Sequence, residues 1–145
     1  MIEQDTVRLL RECDAGVKMG ISSIEDVLDH VQADKLRKRL TNCKAEHRKL
    51  EKEIRSQLDR FHDDGKAPNP MAKSMSKMKT GFMMNMKEDT DETAADLITD
   101  GCNMGIKSLY KYMNQYPNAN CKVIDLCKRL ISIEDQLRKE LRAYL

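Results

Sequence analysis

Four polar residues fall on or beside otherwise apolar helical stripes, and their types could do chemistry. They are Asp14, His47, Asn103 and Glu134. Carboxylates and imidazoles bind divalent metals and transfer protons near neutral pH. With chain turns near residues 30 and 118, all four would lie at one level of a helical bundle. We therefore predict a polar layer across the core, with Asp14, His47 and Glu134 as candidate metal ligands and Asn103 in the same layer.

A second interpretation of this layer needs no metal. Hydrogen-bonded or ion-paired side chains would fix the register of the helices, and a buried charge needs such a partner. We favour this interpretation, because one histidine and two carboxylates are few ligands for tight binding of a transition metal. No cofactor is predicted beyond a divalent metal at the layer.

The five cysteines offer a second chemistry. Cys43 and His47 are four residues apart on one helix, which would place a thiol beside a base. Both residues belong to the predicted core face, where free cysteine packs as a small apolar residue. We predict the same packing role for Cys13 and Cys102. An odd number of cysteines without a CxxC spacing indicates reduced thiols.

The composition predicts that helices position these residues. The 145-residue chain fits one domain, lacks tryptophan and has a net charge of +2, which gives no case for nucleic acid. The segment "MIEQDTVRLL" lacks the apolar core of a signal peptide, so we expect a cytoplasmic protein. The sequence contains no glycine-rich phosphate loop and no zinc spacing, so we do not expect an enzyme.

A repeat predicts the layout of the helices. "CDAGVKMG" at 13–20 and "CNMGIKSL" at 102–109 are similar segments that lie at corresponding positions in the two halves of the chain. We predict one domain with a helical hairpin at about 2–62, a crossover at about 63–89 and a second hairpin at about 90–145. Asp34, Asn69 and Asp89 are the predicted N-caps. Two such hairpins can bury their apolar faces together as an antiparallel four-helix bundle.

The crossover contains a methionine-rich helix with an apolar stripe. Its members are Met71, Met75, Met78, Phe82 and Met86, and lysines accompany them. A membrane-surface helix or an adaptable groove for a protein partner would fit this pattern. We favour a helix that caps the bundle with its methionine side. We do not expect membrane binding, for which residues 70–87 are the one candidate.

Three segments resemble the ferritin-like superfamily, and within it a little-characterised bacterial group. They are "DAG" (14–16), "LRKRLTNCKAEHRKLEKEI" (36–54) and "ITDGCNMGIKSL" (98–109). The resemblance implies four antiparallel helices with one long crossover. Di-iron members use Glu-x-x-His pairs. That signature is absent here, because Lys44 stands three residues before His47, so the usual di-iron ligands do not carry over.

The sequence therefore predicts a non-enzymatic bundle that acts by association with itself or with a protein partner. The alternative is a metal- or small-ligand-binding ferritin relative that uses Asp14, His47 and Glu134. Membrane association through residues 70–87 ranks third.

Overall fold

The computed structural model describes residues 2–86 and 88–145, and these residues form an all-helical chain without strands. The helices are α1 (Ile2–Leu28), α2 (Asp34–Arg60), α3 (Pro70–Met86), α4 (Thr90–Gln115) and α5 (Cys121–Leu141), followed by a 3₁₀ turn at Arg142–Tyr144. The prediction of an all-α chain is confirmed. None of the described helices is long and apolar enough to cross a membrane.

Side-chain caps fix the starts of three helices. The Oδ1 of Asn69 accepts a hydrogen bond from the Met71 amide at 3.0 Å, and that of Asp89 accepts one from the Glu92 amide at 2.9 Å. Both caps were predicted, and each satisfies an otherwise unpaired amide of a first helical turn. Asn120 caps α5 in the same way.

The predicted cap at Asp34 is wrong. Asp34 is the first helical residue of α2, and Ala33 precedes it with an extended backbone and no side-chain cap. The amides of this turn are satisfied from another helix instead. Asp91, in the first turn of α4, accepts hydrogen bonds from the amides of Gln32 at 2.6 Å and Ala33 at 3.0 Å.

The second hairpin turn is held in the same manner by the start of α1. The carboxylate of Asp5 accepts a hydrogen bond from the Asn118 amide at 3.0 Å, and the Thr6 hydroxyl accepts one from the Asn120 amide at 2.9 Å. Each hairpin turn therefore receives its acceptors from the first turn of a helix in the other hairpin. We call these contacts the reciprocal turn locks.

The same contacts show the helix directions. The start of α1 lies at the turn that follows α4, and the turn after α1 lies at the start of α4, so the two helices are antiparallel. Helices α2 and α5 are also antiparallel, because Arg39 pairs with Glu140 while Glu53 pairs with Arg129 at 2.6 Å. Helices α1 and α5 therefore run one way, and α2 and α4 run the other.

The buried side chains form two clusters stacked along the helices. One contains Leu10, Val17, Ile54 and Leu130, and the other contains Ile24, Leu40, Ile98 and Leu141. On every helix of the two hairpins the buried residues of the two clusters are separated by six or seven positions, about two helical turns. The candidate site lies in that interval.

Candidate functional site

One residue from each of the four long helices forms the layer between the two apolar clusters. Gly20 comes from α1, His47 from α2, Gly105 from α4 and Glu134 from α5. His47 and Glu134 are both buried, and the imidazole Nε2 lies 4.0 Å from the carboxylate Oε1. The structure thus brings together two of the four predicted layer residues, and their neighbours in the layer are glycines. We call these four residues the core layer.

The two glycines provide the space for the two polar side chains. A Cβ atom at Gly20 would lie 2.7 Å from His47 Nε2, and one at Gly105 would lie 2.6 Å from Glu134 Oε2. Real Cβ atoms essentially never lie within 3.0 Å of a non-bonded heavy atom. Gly20 and Gly105 therefore each leave room for a polar side chain of the paired helix.

The hydrogen bonds of His47 define where its protons are. Its Nδ1 lies 2.8 Å from the carbonyl oxygen of Cys43, which can only accept, so Nδ1 carries a hydrogen and donates it. This leaves Nε2 facing the carboxylate of Glu134. A proton on Nε2 turns this contact into an attractive ion pair.

Burial and pairing shift the pKa values of both groups. Burial alone would lower the pKa of His47, but the hydrogen bond to Cys43 and the nearby carboxyl group of Glu134 outweigh it and raise the pKa to about 10. Burial raises the pKa of Glu134, and the nearby His47 only partly opposes that shift. At pH 7 the layer therefore holds a protonated imidazole beside Glu134.

Asp14 does not belong to the core layer. It lies six residues before Gly20, which is about 9 Å along the helix axis. Its buried Oδ2 accepts hydrogen bonds from the Lys18 ammonium at 2.8 Å and from the Lys66 amide at 3.0 Å. Gly65 has a positive φ of 83°, and a Cβ there would lie 2.3 Å from that oxygen. Asp14 thus anchors the beginning of the crossover on α1.

Asn103 also lies outside the core layer. Its side chain is exposed, and its Oδ1 accepts a hydrogen bond from Arg138 at 2.9 Å. Cys102 is the buried residue at this level, and one helical step turns the next side chain by about 100°. Neither of these two predicted layer residues points its side chain into the layer.

The core layer does not fit a metal ion. It supplies one imidazole nitrogen and one carboxylate, whereas a structural zinc site takes four ligands and a catalytic site three. The second imidazole nitrogen is already bound to Cys43. Over residues 2–86 and 88–145, no group of three or more His, Cys, Asp or Glu side chains is arranged to hold a metal.

The four thiols of the core are too buried for nucleophilic chemistry. Cys43 lies 3.6 Å from His47 Nδ1, but that nitrogen donates to a carbonyl and both residues are buried. Burial raises the pKa of Cys102 to about 12. A hydrogen bond to Cys127, together with burial, raises the pKa of Cys13 well above its usual value. Cys121, by contrast, is exposed.

The second candidate site is the outer side of α3. Four large apolar side chains of this helix are between 64% and 75% exposed, namely Met71, Met75, Met78 and Phe82. We call these four residues the Met/Phe face. The prediction that the methionine side caps the bundle is therefore wrong. The side chain of Met86 and residue Lys87, which we had placed with this stripe, lie outside the described residues.

The inner side of α3 explains this orientation. Thr80 and Met84 are its buried residues, and the Lys77 ammonium pairs with Asp26 of α1 at 3.0 Å. The groove beside α3 is lined by charged residues of α1 and α2, including Lys18, Glu25, Asp26, Arg48 and Glu51. These contacts of the inner side turn the Met/Phe face towards solvent.

Comparisons with known proteins do not assign this chain to a family. No family model matches it, and searches of curated proteins and of solved structures give no match.

Proposed function

We propose that this chain is a non-enzymatic association module whose binding surface is the Met/Phe face. The observation that carries the proposal is the exposure of four large apolar side chains along one side of a single helix. Single exposed apolar residues are ordinary, but a contiguous apolar patch marks an interaction site. Methionine suits such a surface, because its flexible side chain adapts to the shape of a partner.

The core favours association over catalysis. The polar pair of the core layer, His47 and Glu134, is buried between two apolar clusters and pairs internally. Groups of this kind define helix register. The free thiols suit a reducing compartment, so we place the module in the cytoplasm.

The helix directions support a ferritin-like topology for the module. Helices α1 and α5 run one way, α2 and α4 run the other, and one long crossover joins the two hairpins. A bundle with a single long crossover is the ferritin-like arrangement. In this proposal the crossover carries the binding surface, and the four long helices form the support that presents it.

Site-specific photocrosslinking in cells that make the protein tests the proposal. A photoreactive amino acid replaces Met78 on the Met/Phe face or, as the control, the exposed residue Lys128 on α5. We expect adducts from position 78 that disappear when Met71 and Met75 are changed to serine, and none from position 128. Equal adducts from both positions, or adducts insensitive to the serine changes, would contradict the proposal.

A further inference from the structure

We infer that the Met/Phe face binds the Met/Phe face of a second copy of this chain, with the two α3 helices antiparallel. This inference rests on the proposed function and names the partner. It starts from the spacing of the exposed residues. They follow one another at intervals of four, three and four residues, which is the spacing of a coiled-coil seam.

The spacing indicates that the partner is itself a helix. Side chains at intervals of three and four lie along one line on a helix, and such a line packs best into the holes of a facing helix. α3 has 17 residues and is therefore about 25 Å long. A second α3 helix provides a seam of the same length and the same spacing.

The order of the residues favours the antiparallel arrangement. A two-fold axis between residues 76 and 77 places Met71 opposite Phe82 of the second copy and Met75 opposite Met78 of the second copy. Both pairs then occur twice in one closed interface. A parallel arrangement would instead place each residue opposite its own equivalent.

The lysines of α3 stay outside the seam in this register. The two-fold axis places Lys79, which is exposed beside the Met/Phe face, five residues, or about 7.5 Å along the helix axis, from Lys79 of the second copy. Lys77 lies on the inner side of α3, where it pairs with Asp26.

The size of the Met/Phe face predicts a weak dimer. Four large side chains that are about two-thirds exposed contribute roughly 500 Å² per copy, or about 1,000 Å² in total. Specific interfaces of ordinary strength bury about 1,200–2,000 Å². We therefore expect a dissociation constant in the range of about 1–100 μM.

Sedimentation velocity between low micromolar and several hundred micromolar protein measures the dimer. The test variant is Met78→Glu, and the matched control is Met104→Glu on α4, because Met104 is 71% exposed and Met78 is 75% exposed. We expect the wild-type chain and Met104→Glu to dimerise alike. Met78→Glu should raise the dissociation constant by tenfold or more, since it places two carboxylates in the seam.

A charge exchange tests the register. Met75→Lys and Met78→Glu should each weaken self-association, and a mixture of the two variants should form a heterodimer. In the antiparallel register the new lysine faces the new glutamate, whereas in a parallel register each charge faces a methionine. If the wild type dimerises through the face but the mixture does not, the antiparallel register is overturned.

A chain that stays monomeric over the whole concentration range overturns the inference. Adducts at position 78 that still form and depend on Met71 and Met75 would then leave the proposed function standing with another partner. Monomeric protein that sediments with vesicles of phosphatidylcholine and phosphatidylglycerol, and loses this with Met78→Glu, would assign the face to an anionic lipid surface. Either result excludes the second copy as the partner.

Discussion

Gly20 of α1 lies directly against the imidazole of His47 of α2, with no room for a β-carbon between them. A Cβ at position 20 would lie 2.7 Å from Nε2 and 2.8 Å from Cδ2. The ring cannot move away easily, because its Nδ1 donates to the Cys43 carbonyl and its other side faces Glu134. The absence of a side chain at Gly20 thus determines where the imidazole of His47 lies.

The first prediction concerns alanine at this glycine. Gly20→Ala should destabilise the protein by about 1–3 kcal/mol, because overpacking of the core outweighs the helix-propensity gain. Gly101→Ala is the matched control, since a Cβ there meets nothing within 4 Å. It should stabilise the protein by about 0.5–1 kcal/mol. Urea denaturation measures both, and equal gains in the two variants would contradict the packing described here.

The second prediction concerns the pair in the core layer. His47→Leu or Glu134→Leu alone should cost about 3–5 kcal/mol, because each leaves a buried polar partner unpaired. The double variant should cost less than either single change. Disruption of the Glu53–Arg129 pair by Glu53→Gln should cost at most about 1 kcal/mol, since both of its side chains are 42% exposed. A double variant that loses the sum of the two single losses would show that the groups act independently.

The third prediction concerns pH. The pKa of His47 is raised from 6.5 to about 10, so the folded protein binds this proton more tightly than the unfolded chain. The stabilisation is complete below about pH 6.5 and is lost as the pH rises towards 10. Between pH 6.5 and 9 the wild type should lose up to about 3 kcal/mol of unfolding free energy.

Glu134→Gln is the control for this pH dependence. Without the carboxylate only the contacts with Cys43 raise the pKa of His47, so the variant should lose less unfolding free energy than the wild type between pH 6.5 and 9. The buried Cys102, whose pKa is about 12, begins to contribute only above about pH 9. Urea denaturation at several pH values measures the difference. Parallel curves for the wild type and the variant would refute the assignment to His47.

The fourth prediction concerns the thiols. Four cysteines are buried and Cys121 is exposed. A chromogenic disulfide reagent should therefore label one thiol rapidly in the folded protein and all five after unfolding. Cys121→Ser should abolish the rapid reaction. Rapid labelling of a second thiol would show that a buried cysteine is accessible in solution.

The sequence predicts the parts of this fold that depend on local patterns. The caps at Asn69 and Asp89 follow from residue types at fixed offsets. His47 was found because it interrupts an apolar stripe. Asp14 was misplaced along its helix, because it lies about 9 Å from the level of Gly20. Asn103 was misplaced by rotation, because neighbouring positions of a helix differ by about 100°.

The orientation of α3 could not be predicted in the same way. Its methionine stripe is visible in the sequence, but the partners of its inner side, such as Asp26 for Lys77, lie on other helices, far away along the chain. The turn acceptors pose the same difficulty, since Asp91 lies 59 residues from Gln32 and Asp5 lies 113 residues from Asn118. Such pairings become visible only once the topology is known.

The reciprocal turn locks have a consequence for the assembly of the chain from pieces. Two turn amides of each hairpin take their acceptors from the other hairpin, so each half is incomplete until the other supplies them. We expect two fragments divided within the crossover to be poorly ordered when separate and to gain order when mixed, so that the two hairpins fold as an obligate pair.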